Sequence, residues 1–226
     1  MPEIPDWFRP VAEYMLREGL PETLKIAAVA VTASALIGIV LGALMTINFL
    51  PLRSVLRLYV EVWRGIPILV TVLFIYWLPA FELGPFRVQM NAYASAAVGL
   101  TLWGSAQVAE ATRGAVQSIP KEQHEAAAAL GLGWLGRHAF VIVPQALRRL
   151  LPPMVGLLVN IIQNTTIAFV IGVAELLETG NRQFENLTLQ TGNGHPFTIF
   201  GFVLVVFFII SFPLTLLARY LERRLV

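Results

Sequence analysis

The sequence predicts an all-α integral membrane fold: five transmembrane helices, the N-terminus outside, and a short helical connection on the cytoplasmic side between spans three and four. Three observations predict it. Of 226 residues, 57% are hydrophobic and only 13% charged, with a mean hydropathy of +0.71, whereas a soluble domain carries about 25% charged residues to solvate its surface. Apolar stretches long enough to cross roughly 30 Å of hydrocarbon at about 1.5 Å per residue occur at residues 24–47, 60–81, 92–112, 151–174 and 197–218. Lysine and arginine favour one set of the connections between them, as the positive-inside rule requires of cytoplasmic loops.

Each element has its own warrant. The stretch before Leu24 is acidic as well as basic and holds no apolar core ahead of a small-residue cleavage site, so it does not read as a signal peptide; the first span directs insertion itself. That span carries Gly38 and Gly42 at the spacing of a close-packing helix face. Pro67 and Pro213 are expected to kink the second and fifth spans. Arg53, Arg57, Arg64, Arg113, Lys121, Arg137, Arg148, Arg149, Arg219, Arg223 and Arg224 mark the cytoplasmic side. The other side carries only Arg9, Arg17, Lys25, Arg87 and Arg182, and gathers Glu3, Asp6, Glu13, Glu18, Glu22, Glu82, Glu175, Glu178 and Glu185. No connection is long enough to fold alone, so residues 1–226 form a single transmembrane domain. With no cysteine and three scattered histidines, disulfides, thiolate metal sites and metal clusters are excluded. No pairing of nucleophile and base suggests catalysis, and a net charge of +2 gives no support for nucleic-acid binding.

Residues 114–149 form the longest cytoplasmic connection. Pro120 can start a helix, residues 122–130 are rich in helix formers, and Gly131 supplies a left-handed stop. A second short helix is expected from Trp134 until Pro144 breaks the pattern. The small face of Ala126, Ala127, Ala128 and Ala129 admits another backbone at close range, which suits a docking surface.

Polar groups at membrane depth are costly unless satisfied within the protein or facing a water-filled path, so each is a candidate site. Trp103, Gln107 and Glu110 share a face of the third span at i, i+4, i+7. Asn160, Gln163, Asn164, Thr165 and Thr166 sit near the middle of the fourth. Such amides and hydroxyls could ring a zwitterion, or bond across helices as packing glue. Glu110 with Arg113, and Glu61 with Arg64, read as gating or structural ion pairs.

The run Glu125-Ala126-Ala127, Gly131, then Val141-x-Val143-Pro144 resembles the coupling loop of ABC importer permeases. A wider resemblance, to the five-span permeases of the polar amino acid uptake family (histidine, glutamine, glutamate and general amino acid types), rests on Thr23-Leu24, Trp63-Arg64-Gly65-Ile66-Pro67, Ala109-Glu110-x-x-Arg113-Gly114, Leu130-Gly131 and Val143-Pro144-Gln145-Ala146. The segment Arg219-Tyr220-Leu221-Glu222-Arg223-Arg224-Leu225 resembles general or acidic amino acid permeases. The sequence departs from the family pattern at Ala106-Gln107 and at Gln163-Asn164-Thr165-Thr166-Ile167, both where substrate would pass, and at Glu122.

The resemblance implies a multi-pass permease subunit of a bacterial plasma (inner) membrane importer of polar, acidic or amide amino acids. Glu125, Ala126, Ala127, Leu130 and Gly131 would couple it to a cytoplasmic ABC ATPase. A second permease, identical or related, would complete the path, and an extracytoplasmic binding protein would deliver the amino acid. This chain would bind no cofactor: it has no phosphate-binding loop, so ATP and magnesium would sit on the partner ATPase. The alternative is an oligomeric ATP-independent carrier or channel using Glu110 as a proton-linked carboxylate.

Overall fold

A computed structural model describes residues 5–78 and 90–225, and among them every regular element is helical. In chain order these are α1 (Phe8–Leu44), α2 (Leu50–Gly65), α3 (Ile68–Trp77), α4 (Ala92–Gln117), α5 (Lys121–Ala129), α6 (Trp134–Ile171), α7 (Leu176–Thr191) and α8 (Pro196–Leu225). By length and apolarity α1, α6 and α8 can cross a membrane, and the bent pair α2 and α3 makes a fourth if taken as one span. At 26 residues α4 is about 39 Å long, but alanine, glycine, serine and threonine make it less apolar. The expected end of the second span at Phe81, with Glu3, Glu82 and Arg87, lies outside the described residues.

Several helix limits differ from the hydropathy reading, each for a local reason. The first helix starts at Phe8 instead of Leu24 because its charges are paired along the helix: Glu13 with Arg17 at 2.7 Å and Glu22 with Lys25 at 2.6 Å. The second run is two helices. Pro67 has no N–H to continue the ladder and forces the preceding residue out of the helical region, so Ile66 is extended (φ −86°, ψ 133°). The helix beginning at Trp134 does not stop at Pro144; it continues through Pro144, Pro152 and Pro153 to Ile171. A π-turn at His138–Ile142 immediately precedes Pro144, and such a wide turn resets the hydrogen-bond register where a donor is missing. Pro213 likewise lies inside α8.

The chain forms two compact units. One comprises Met1–Val31, Ile68–Thr101 and Asn160–Phe212. Its core is Val11, Met15, Leu176, Leu187, Ile199, Val203 and Val206. A π-turn at Met15–Gly19 buries Met15 and Gly19 against α7. A Cβ on Gly19 would meet the Thr179 hydroxyl and come within 2.8 Å of Leu176 Cα. The Thr23 hydroxyl ties the same joint, accepting from Leu176 N at 3.0 Å and donating to Gly19 O at 3.1 Å.

The other unit comprises Thr32–Pro67, Leu102–Val159 and Pro213–Val226. Here α1 meets α4 through the two glycines expected to form a packing face. A Cβ on Gly38 would stand 2.5 Å from Val108 Cβ, and one on Gly42 would strike Ala109 O and Thr112 Cβ. Met45, Val60 and Ala109 close a small core with Leu41, Leu56 and Tyr59, and Tyr59 is hydrogen-bonded to Ser105 at 2.7 Å. A second core of Ile119, Ile142 and Ala146 holds the α5 hairpin. Arg149 reinforces it by donating to Ser118 Oγ at 3.0 Å, as does Gln145 by donating to Gln123 at 3.1 Å.

Candidate functional site: an exposed hairpin and two polar clusters

Helix α5 takes the form its composition predicts. Pro120 precedes the first turn, and Gly131 closes the C-terminus in the left-handed region at φ +77°. Gly131 N donates to Ala128 O at 2.9 Å and Leu132 N to Ala127 O at 3.1 Å, which satisfies the terminal carbonyls. Of the residues singled out, Ala127 is buried, while Glu125, Ala126, Leu130 and Gly131 are exposed. The hairpin also bares residues that spacing did not flag: Leu135 and Phe140 are 73% and 76% exposed, beside Leu130 at 81% and Trp134 at 59%. Their signal was Trp134 and Phe140, the two Phe, Trp or Tyr residues among residues 114–149. Trp134 lies against His138 with ring centroids 4.3 Å apart, and His138 Nδ1 is 2.8 Å from Trp134 O.

In the same unit, α2 and α4 share a polar network. Glu110 and Arg113 pair as expected, with Arg113 Nε donating to Glu110 Oε2 at 2.9 Å, and Arg113 also holds Gln117. Arg64 reaches across to α4, donating from Nε to Gln107 Oε1 at 3.3 Å and standing 4.0 Å from Glu110. Glu61 is paired with Arg57 at 3.7 Å. Two of the three residues on the predicted α4 face, Gln107 and Glu110, are thereby linked through Arg64. Trp103, half-buried, lies one turn earlier.

The second cluster belongs to the other unit and occupies the C-terminal part of α6. Asn160 and Gln163 are exposed, Asn164 is half-buried and Thr165 is buried. Asn164 Nδ2 donates to Asn160 O at 2.8 Å and the Thr165 hydroxyl to Ile162 O at 2.7 Å. Thr165 therefore faces packing, and Asn160 and Gln163 present free amides. Over Asn164–Ile171 the backbone tightens into a 3-10 helix, which hydropathy did not foretell.

One buried acid was also not singled out. Glu175, 0% exposed, lies beyond the end of α6 and caps α7, accepting Leu177 N and Glu178 N at 2.9 Å each. Burial lifts its pKa from 4.5 to about 7; the two N–H bonds oppose this and the Glu178 carboxylate adds to it. A carboxyl with a raised folded-state pKa binds its proton more tightly when folded. Its contribution is fully present below pH 4.5 and is lost as pH rises through about 7, on the order of 3 kcal/mol. The melting temperature is expected to fall over that window, and Glu175→Gln, which keeps a capping oxygen, to flatten the profile. An unchanged slope in the variant would assign the effect elsewhere.

Among the described residues no group of three or more histidines or acids is placed to hold a metal ion. Comparison with known proteins supplies the context. Residues 34–226 match the family described as binding-protein-dependent transport system inner membrane component. The chain is 36% identical over 211 residues to the glutamine transport system permease protein GlnP of Escherichia coli (strain K12), covering 93% of each. It is 32% identical to the probable glutamine ABC transporter permease protein GlnP of Bacillus subtilis (strain 168), covering 92% of this chain and 93% of the relative. Among solved structures it superposes on an amino acid ABC transporter with a TM-score of 0.81 at 28% identity, covering 99% of this chain and all of the other. The MetNI methionine ABC transporter, at 21% identity and a TM-score of 0.73, shares its fold. The chain belongs to the binding-protein-dependent transport system inner membrane components, the permease subunits of ABC transporters, in which ATP hydrolysis resides on a separate subunit.

Proposed function

We propose that this chain is half of the translocation path of an ATP-driven importer of polar amino acids, amide or acidic side chains among them, in a bacterial inner membrane. The observation that carries the reading is the α5 hairpin: a rigidly capped helix presenting Glu125, Ala126, Leu130 and Gly131, with Trp134, Leu135 and Phe140 bare beside it. An exposed apolar surface on a connection between spans suits a protein partner. A cytoplasmic ABC ATPase carrying ATP and magnesium suits it, given permease relatives of GlnP type. In this reading residues 1–226 are one permease domain of five spans with the N-terminus outside, α4 supplying the third span and α5 the coupling helix. A second permease, identical or related, completes the path, and an external binding protein delivers the substrate.

The polar clusters would line that path. Asn160, Gln163 and Asn164 offer neutral donors and acceptors to an ammonium and a carboxylate without holding either too tightly to leave. Trp103 and Gln107 would serve the same path from α4. Arg64, Glu110 and Arg113, joined between α2 and α4, would act as a latch, with Glu61 on Arg57 at its edge. Two results test the reading. An ATPase subunit should co-purify with the chain from native membranes in mild detergent; recovery of the chain alone would overturn the importer. Gln163→Leu and Asn164→Leu should each cut uptake about tenfold, worth about 1.4 kcal/mol, with ATPase binding retained. Unchanged uptake in both would return those amides to helix packing.

A further inference from the structure

Helix α2 divides its surface into three lengthwise stripes. Leu52, Leu56, Tyr59 and Trp63 are half-buried and Val60 is buried, and this stripe packs. Pro51, Val55, Leu58 and Val62 recur at i, i+4, i+7 and i+11 and are exposed, Val55 at 66% and Leu58 at 65%. Arg53, Arg57, Glu61 and Arg64, also exposed, form the third. At about 100° per residue the stripes are centred about 120° apart. The packed stripe fixes the level of the helix in its unit. Val60 closes a core with Met45, the residue after α1 ends, and with Ala109 in the last third of α4. Both of those helix ends are cytoplasmic in the importer reading.

At 16 residues α2 is about 24 Å long, short of the roughly 30 Å of hydrocarbon, and its charges recur on every turn. Set across the bilayer, it would hold Arg57 and Glu61, with side chains 67% and 63% exposed, at membrane depth, where charge is costly. Set flat, it keeps its charges at one level and its exposed apolar side chains at another. Helices of that form sink about 5–10 Å into the boundary between headgroups and acyl chains. Three arginines against one glutamate make the polar stripe positive, and among the described residues Arg53 has no ion pair. We propose that α2 lies flat in the cytoplasmic leaflet and binds anionic phospholipids, with Val55, Leu58 and Val62 against acyl chains and Arg53 and Arg57 on phosphates; its side of the membrane is taken from the importer reading above. The second span then begins at Ile68 instead of Val60. A protein seated on the apolar stripe would leave the Arg53 guanidinium uncompensated, whereas a leaflet presents acyl chains and phosphates at adjacent depths.

The chain contains no cysteine, so an NBD fluorophore can be placed at Val55→Cys or at Val62→Cys in the assembled transporter, with reactive cysteines removed from its partners. The complex is reconstituted in nanodiscs of phosphatidylcholine and phosphatidylglycerol. Lipids carrying a nitroxide at shallow or deep chain positions should place both labels at one depth, and aqueous iodide should quench neither. At equal lipid fraction, nitroxide phosphatidylglycerol should quench the Val55 label more than nitroxide phosphatidylcholine does. Arg53→Gln should cut that preference about fivefold, the weight of one arginine at about 1 kcal/mol, and Arg53→Lys should retain it. A depth difference near 10 Å would mark a crossing helix and overturn the proposal. Labels shielded from every quencher would put a protein on the stripe, such as a second copy of this chain, and overturn it too, as would iodide quenching or equal quenching by the two lipids. Stimulated ATPase activity in the same nanodiscs keeps the two readings apart. Where it is present, failed lipid quenching sinks the placement of α2 alone; where it is absent, the importer reading falls and lipid quenching still decides the contact.

Discussion

Gly131→Arg is expected to leave the chain inserted and folded but to lower stimulated ATPase activity of the assembled transporter tenfold or more. Gly131 sits at φ +77° with nothing within 4 Å of where a side chain would begin. The folded chain therefore meets only the backbone cost of a left-handed non-glycine residue, roughly 1–2 kcal/mol. The larger effect falls on the partner. A guanidinium would enter the middle of an apolar surface formed by Leu130, Trp134, Leu135 and Phe140, and an unpaired charge desolvated in an interface costs about 2–5 kcal/mol. Gly133→Ala is the control, since Gly133 is also surrounded by open space and has φ −65°. Normal stimulation in Gly131→Arg, measured in proteoliposomes with binding protein present, would remove the hairpin from the coupling role.

Gly42→Leu is expected to abolish recovery of folded protein. The obstacle at Gly42 is largely backbone: Ala109 O, then Thr112 Cβ at 2.5 Å. A flexible side chain can swing aside, whereas a helix carbonyl cannot, so α1 and α4 would have to separate. Small residues set the approach of membrane helices because lipid offers no hydrophobic drive to push them together. Overpacking ordinarily costs about 1–3 kcal/mol; at this contact Gly42→Ala should reach that range and Gly42→Leu exceed it. Gly156→Ala, in open space inside α6, should be neutral or raise stability by up to about 1 kcal/mol. Thermal melts in detergent compare them, and equal melting temperatures for Gly42→Ala and Gly156→Ala would contradict the close contact.

The legible parts of this chain are those in which one residue type has one physical use. Pro120 and Gly131 bracket α5 because one tolerates a helix start and the other the left-handed stop. Gly38 and Gly42 mark the close approach of α1 to α4, and Glu110 lies three residues from Arg113. Contacts between distant segments left no such mark. Arg64 meets Gln107 and Glu110 only once α2 is packed on α4, and Glu175 is buried only once α7 closes on α1. Hydropathy also misjudged α1, whose charged first turns neutralise one another, and α6, where a π-turn precedes Pro144. The 3-10 winding at Asn164–Ile171 depends on tertiary packing of every third residue, a period that no local propensity announces.

ATP-dependent uptake tests the central claim most directly. The chain would be reconstituted in proteoliposomes with its co-purified ATPase and any second permease, and labelled glutamine supplied with the external binding protein. Accumulation that requires enclosed ATP, stops with vanadate and survives collapse of the proton gradient is the predicted result. Accumulation without ATP that collapses with the proton gradient would contradict it and make Glu110 the carboxylate of an ATP-independent carrier.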